Sequence, residues 1–279
     1  YKKEIRQLRR SEEGEIDSSI IDSFLIREGK KLDYDHSIEP FYKVVDLYAY
    51  LGAFNDSGGD LRFLFLFPNL RYLEVCYGDT AFCIDGKNVE QSTEPRHLRL
   101  EGIQNCPRLE RLSLSTVTSP VVMTGIEFCQ EIKEIYFQTH DYDRELIDIS
   151  PVGELASLRV LRIDTVIPID TVIPIDTRNL CLSGCTSLRN LEIQPNTKNL
   201  KFLEGLELEF LDVPYGKLKT LKGLNTRRLK VLDASHNRIR SLKTLRGAKK
   251  LVCLRLEHNP IEDLEELKEL KWMATLRRG

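Results

Sequence analysis

The sequence predicts an α/β solenoid: a curved arc of short stacked units with a parallel sheet on its concave face and short helices, 3₁₀ turns or strands on its convex side. Two observations predict it. Near the C-terminal end, Leu229, Leu232, Ala234, Asn237, Ile239, Leu242 and Leu245 form a phrase that recurs 22 residues later as Leu251, Leu254, Leu256, Asn259, Ile261, Leu264 and Leu267. A period of that length marks a unit that cannot bury its own apolar side and must stack on copies of itself. Second, the phrase continues upstream in weakened form, through Leu208, Leu211, Val213; Leu188, Leu191, Ile193; Leu158, Leu161, Ile163; Ile132, Ile135, Phe137; Leu109, Leu112, Leu114; and Leu70, Leu73, Val75.

These copies divide the chain into repeats over 61–267, about eight to nine units, between an N-terminal cap or docking segment over 1–60 and a capping helix over 268–279. The ninth unit is expected in the wide interval from Leu70 to Leu109, around Leu98 and Leu100. Residues 1–60 lack the phrase: Ile16, Ile20, Ile21, Phe24 and Leu25 are spaced as on a helix, and a second apolar cluster runs from Phe41 through Val44, Val45, Leu47, Tyr48 and Leu51. At the other end, Leu264, Leu267, Leu270, Met273 and Leu276 suit a closing helix. Its acidic start at Glu262 to Glu266 and its basic end at Arg277 and Arg278 suit the helix dipole.

Period-2 alternation within each unit places two apolar residues of a short strand inward and the residues beside them outward. Stacking brings such strands side by side at about 4.8 Å. Asn237 and Asn259 are expected to turn inward and bond neighbouring backbone, since a buried polar side chain has to be satisfied. The three-residue recurrence at the end of the phrase suits a 3₁₀ turn on the convex side. Convex strands near Leu98 to Leu100 and Leu180 to Leu182 are compatible with the same pattern.

On these residues the chain resembles the leucine-rich repeat proteins, over roughly three-quarters of its length. Its last three units are similar to the 22-residue form found in bacterial internalins and in regulatory repeat subunits of protein phosphatase-1. Asp148 to Leu155 (DISPVGEL) reads as the internalin-like form, whereas Leu182 to Leu188 (LSGCTSL) and Asn105 to Leu109 (NCPRL) resemble cysteine-containing repeats.

Composition narrows the function classes. The 279 residues are 41% hydrophobic and 30% charged, enough for a continuous core without metal or disulfide. No apolar run reaches the roughly 18 residues that a membrane span needs, and a net charge of −2 argues against direct nucleic-acid binding. Of seven cysteines, Cys106, Cys129 and Cys185 each lie three residues before the first apolar residue of a unit, where other units carry Phe67, Leu155, Gly205, Thr226 and Ala248, mostly apolar residues. That pattern assigns them to the core as small hydrophobes and favours a reducing, intracellular compartment. Cys181 and Cys185 lack the second pair that a metal site needs. The hexamer DTVIPI occurs twice, over Asp164 to Ile169 and Asp170 to Ile175, and its prolines exclude a helix; a duplication housed in a loop, or a protruding loop that touches a partner, fits it.

No catalytic motif is present, so no catalytic residue, metal or cofactor is expected. His236 and His258 share the position before the repeat asparagine and should stack on adjacent turns as loop residues. The functional candidates are then the outward strand residues, chiefly Tyr72, Glu74, Arg111, Glu134, Tyr136, Arg162, Glu192, Phe210, Asp212, Val231, Asp233, Arg255 and Glu257. With Asp164, seven acidic residues stand on this face against three arginines, and Phe210, Val231 and Cys253 fall in one apolar column. This predicts a non-enzymatic module or scaffold whose acidic concave face binds a protein that presents basic residues around an apolar anchor. The resemblance also admits the recognition part of a larger enzyme or effector, such as a ubiquitin ligase, and a ribonucleoprotein subunit of the spliceosomal A-prime kind.

Overall fold

The computed structural model describes residues 30–33, 44–52, 59–78, 98–116, 121–139, 148–165, 180–195, 197–262 and 276–277. An eleven-stranded sheet runs through them. Its edge strand β1 (Lys30–Asp33) pairs antiparallel with β2 (Asp46–Gly52). From β2 onward every pairing is parallel: β4 (Tyr72–Gly78), β6 (Arg111–Thr116), β8 (Glu134–Thr139), β9 (Val160–Thr165), β10 (Asn190–Glu192), β11 (Phe210–Asp212), β12 (Val231–Asp233), β13 (Cys253–Arg255) and β14 (Leu276–Arg277). A second, three-stranded parallel sheet on the outer side joins β3 (Gly59–Asp60), β5 (Leu98–Arg99) and β7 (Val121–Val122).

The inward residues of each strand meet their equivalents on the next. Leu191, Leu211, Leu232 and Leu254 are aligned across β10 to β13, and each is fully buried. Short 3₁₀ helices, among them Ile103–Asn105, Ser150–Glu154 and Lys243–Gly247, form the return path and bury Ile103, Val152 and Leu245. A helical turn needs more lateral room than a strand, so stacking bends the array with the sheet on the inside.

Both ends differ from the sequence expectation. The parallel part of the sheet begins with β2, inside the segment assigned to a cap, because Val44, Leu47 and Ala49 repeat the spacing of Leu70, Leu73 and Val75, and Leu47 and Ala49 pair with Leu73 and Val75 in register. Leu276 and Arg277, expected in a closing helix, form β14 instead, since Leu276 lies one 22-residue period beyond Leu254 and pairs with it. The rest of that expected helix lies outside the described residues, as do the N-terminal apolar spacing from Ile16 to Leu25 and the DTVIPI pair beyond Thr165. No inner strand fills the interval around Leu98 and Leu100; β4 pairs directly with β6, and Leu98 belongs to the outer sheet.

Asparagine and cysteine tie successive turns together. Asn237 donates from Nδ2 to the carbonyls of Val213 (2.8 Å) and Ala234 (3.1 Å) and accepts from the Leu218 amide at 3.0 Å. Asn259 repeats this one turn on, with the Ala234 carbonyl at 2.8 Å and the Ile239 amide at 2.9 Å. Gly216 occupies the asparagine position one turn earlier, where a Cβ would come within 2.7 Å of Asn237 Oδ1. The buried thiols of Cys106, Cys129 and Cys185 donate to carbonyls of the preceding turn, those of Phe67, Ile103 and Val152. Burial pushes the first two up to about 12 and the third to about 11, so all three remain protonated thiols.

Truncating Leu232 to Ala should cost about 2–5 kcal/mol in urea denaturation, through lost burial and the cavity left behind. Asn237→Ala should cost about 1–3 kcal/mol because its backbone partners are orphaned away from water. Asn259→Ala should cost less than Asn237→Ala, since Asn259 is only partly buried.

Candidate functional site: the inner face of the sheet

The strand pairing sets the outward residues in columns. One runs Tyr72, Arg111, Glu134, Val160, Asn190, Phe210, Val231, Cys253. The next runs Glu74, Ser113, Tyr136, Arg162, Glu192, Asp212, Asp233, Arg255. All the sequence candidates on the strands therefore share this face, and Glu257 lies just past β13. Glu74, Arg111, Arg162 and Arg255 are exposed. Tyr72, Glu134, Tyr136, Glu192, Phe210, Asp212, Val231, Asp233 and Glu257 are half-buried by their neighbours.

The face has two chemically different halves. Toward the N-terminal end, the Arg111 guanidinium lies 5.5 Å from the Tyr72 ring centroid and donates from Nε to Glu134 at 2.6 Å. The Tyr136 hydroxyl donates to the same Glu134 oxygen at 3.3 Å. The Arg111–Glu134 bond and the Glu134 charge raise Arg111 above the ordinary arginine value, while partial burial raises the Tyr136 phenol. Along the rim where strands begin, Glu110 binds Arg71 and Lys133, and Lys230 binds Glu209 at 2.6 Å.

Toward the C-terminal end the apolar column Phe210, Val231, Cys253 runs beside acids. Each arginine of the face engages one acid on an adjacent strand: Arg111 with Glu134, Arg162 with Glu192 at 3.3 Å, and Arg255 with Asp233 at 3.4 Å. Glu74, Asp164, Asp212 and Glu257 are left without an ion pair among the described residues. Asp212 is the distinctive one. Its Oδ1 is buried and has no hydrogen-bond partner among the described residues. Burial, then the Asp233 and Glu192 carboxylates on either side, push it up to about 7, with Arg255 and Arg162 opposing.

At the strand exits, Tyr215, His236 and His258 stack in one ladder, with ring centroids 4.3 and 4.1 Å apart. The two histidines were expected to stack. Tyr215 was missed, although it lies 21 residues before His236, ahead of Gly216 in the asparagine position. All three have left-handed backbone, with φ of 53°, 53° and 57°. Among the described residues, no group of three or more His, Cys, Asp or Glu is placed to hold a metal, and no helix is long and apolar enough to cross a membrane.

The comparisons agree with this architecture. Residues 227–269 match the family described as leucine-rich repeats in two copies. Internalin C2 of Listeria monocytogenes aligns at a TM-score of 0.51 and 21% identity, covering 65% of this chain and 76% of that one. An internalin F of the same organism aligns at 0.52 and 13% identity, covering 86% and 68%. A comparison with curated protein sequences finds no match. The chain has the leucine-rich repeat solenoid fold, and proteins of that fold generally mediate protein–protein interaction and are typically not enzymes.

Because Asp212 is raised in the folded chain, its contribution to stability is fully present below the unfolded carboxyl value and is lost as pH rises through about 7. Asp212→Asn removes that contribution. The urea midpoint of the parent, measured relative to Asp212→Asn, should therefore fall between pH 5 and pH 8, where the pH interval brackets the shifted value. A constant difference would contradict the assignment.

Proposed function

We propose that the chain is a protein-binding module whose inner sheet face, centred on β11 to β13, grips a partner presenting a basic side chain beside an apolar one. The observation that carries this reading is the adjacency of two columns: Phe210, Val231 and Cys253 on one side, and Glu192, Asp212 and Asp233 on the other. Water alone gives no reason to align three apolar side chains outward, whereas a contact surface uses such a strip for affinity. The neighbouring charges speed and orient the encounter.

Asp212 supplies the chemical preference. A lone buried carboxylate oxygen between two acids is costly when ionised, and a guanidinium or ammonium from a partner would relieve that cost. The polar half of the face, from Tyr72 to Tyr136, already satisfies its own arginine and glutamate internally. It supports a lesser, orienting role.

The reading is tested by affinity capture from the source organism, comparing the parent chain with Phe210→Ala/Val231→Ala/Asp212→Lys. Partners retained by the parent and lost from the folded variant are expected. Equal recovery by both would overturn it.

A further inference from the structure

A second surface lies on the opposite side of the same turns. The return loops over 213–229 and 234–251 hold five and six lysines or arginines respectively, with no aspartate or glutamate in either. Lys217, Lys219, Lys222, Arg238, Arg240 and Lys243 are all exposed. Backbone bonds hold them in rows: the Lys219 amide donates to the Lys198 carbonyl at 2.9 Å, the Arg238 amide to Leu218 at 2.8 Å, and Glu262 to Arg240 at 3.1 Å. Of those six, only Arg240 has an ion pair among the described residues, with Glu262 at 2.9 Å. Like charges gathered without counter-charges are unfavourable in the free protein, and an external polyanion is what they suit.

The ring ladder adds a second, independent feature on the same turns. Tyr215 lies two residues before Lys217, and His236 two residues before Arg238. The left-handed backbone at each ring turns the chain from the inner strand into the basic return loop. An open aromatic face and a row of cations are the two elements that bind single-stranded nucleic acid without sequence preference, and the ladder offers such a face at its Tyr215 and His258 ends.

From the basic return loops and the bordering Tyr215–His236–His258 ladder, we infer that this outer surface binds single-stranded nucleic acid through its phosphate backbone. A flexible single strand can follow an outward-curving surface across successive turns, whereas a stiff duplex touches such a surface at few phosphates. A bilayer is disfavoured because, among the described residues, the large exposed apolar side chains are Val45, Tyr48, Val122, Phe128 and Val252, and of these only Val252 lies near the basic loops. The net charge of −2 hides this site because all 43 acidic residues of the chain lie outside these two loops. The inference is independent of the protein partner proposed for that inner face.

Fluorescence anisotropy with a labelled oligouridylate of about 20 nucleotides tests it on the whole chain. Binding is expected at low salt and should weaken about 100-fold between about 50 and 200 mM salt, the dependence for about five phosphates on a single strand. Lys217→Glu/Lys219→Glu/Arg238→Glu should weaken it at least about tenfold with a shallower salt dependence and an unchanged melting curve. If that variant fails to fold, Lys222→Glu/Lys243→Glu serves the same test. Tyr215→Asn, at the end of the ladder where one ring face meets His236 and the other meets no further ring among the described residues, keeps a residue tolerant of left-handed backbone and should weaken binding about tenfold. No binding at low salt, binding undiminished by charge reversal, equal binding of poly-aspartate, or capture only by phosphatidylserine vesicles would each overturn the inference.

Discussion

Everything in this structure depends on the lateral register of the inward apolar pair on each strand. Leu211, Leu232 and Leu254 are fully buried only because each lies against its equivalent one turn away. A single turn has no interior; a stack of them has a continuous one. A shift of one residue would send these leucines to solvent and bury Asp212, Asp233 and Arg255, an exchange that a marginally stable chain cannot tolerate. The same register makes the outward columns, so the core and the candidate binding face are two results of one constraint.

Hydrogen bonding refines that constraint. Apolar stacking sets which residues face inward but says little about the turn that leaves the strand. There Asn237 and Asn259 supply the bonds that the turning backbone cannot make for itself. Earlier turns use a different device, a buried thiol bonded to the carbonyl of the preceding turn. The two solutions occupy different parts of the chain, which is why the repeat phrase reads differently in its C-terminal and N-terminal portions.

The sequence makes the centre of the solenoid legible and blurs its ends. The period shows wherever leucine fills three positions, as at Leu251, Leu254 and Leu256. It is obscured at Val44, Leu47 and Ala49, where Val45 and Tyr48 fill the gaps and make a repeat strand of the main sheet look like a generic apolar cluster. Met273 and Leu276 keep the period too, but leucines at three-residue intervals before them imitate a helix. On the inner face, the columns follow from the register and were readable. The isolation of Asp212 was not, since it depends on which arginine reaches which acid across the sheet. The basic return loops were present in the sequence, and only the averaging of charge over the whole chain concealed them.

The native cysteines report on the register without any substitution. Cys253 stands in the outward apolar column, whereas Cys106, Cys129 and Cys185 point into the core. Alkylation of the folded chain, read site by site by mass spectrometry, should modify Cys253 well before the three core thiols, which should react only on unfolding. Rapid modification of Cys129 or Cys185 in the folded chain, with Cys253 protected, would contradict the register and with it the face on which the functional account rests.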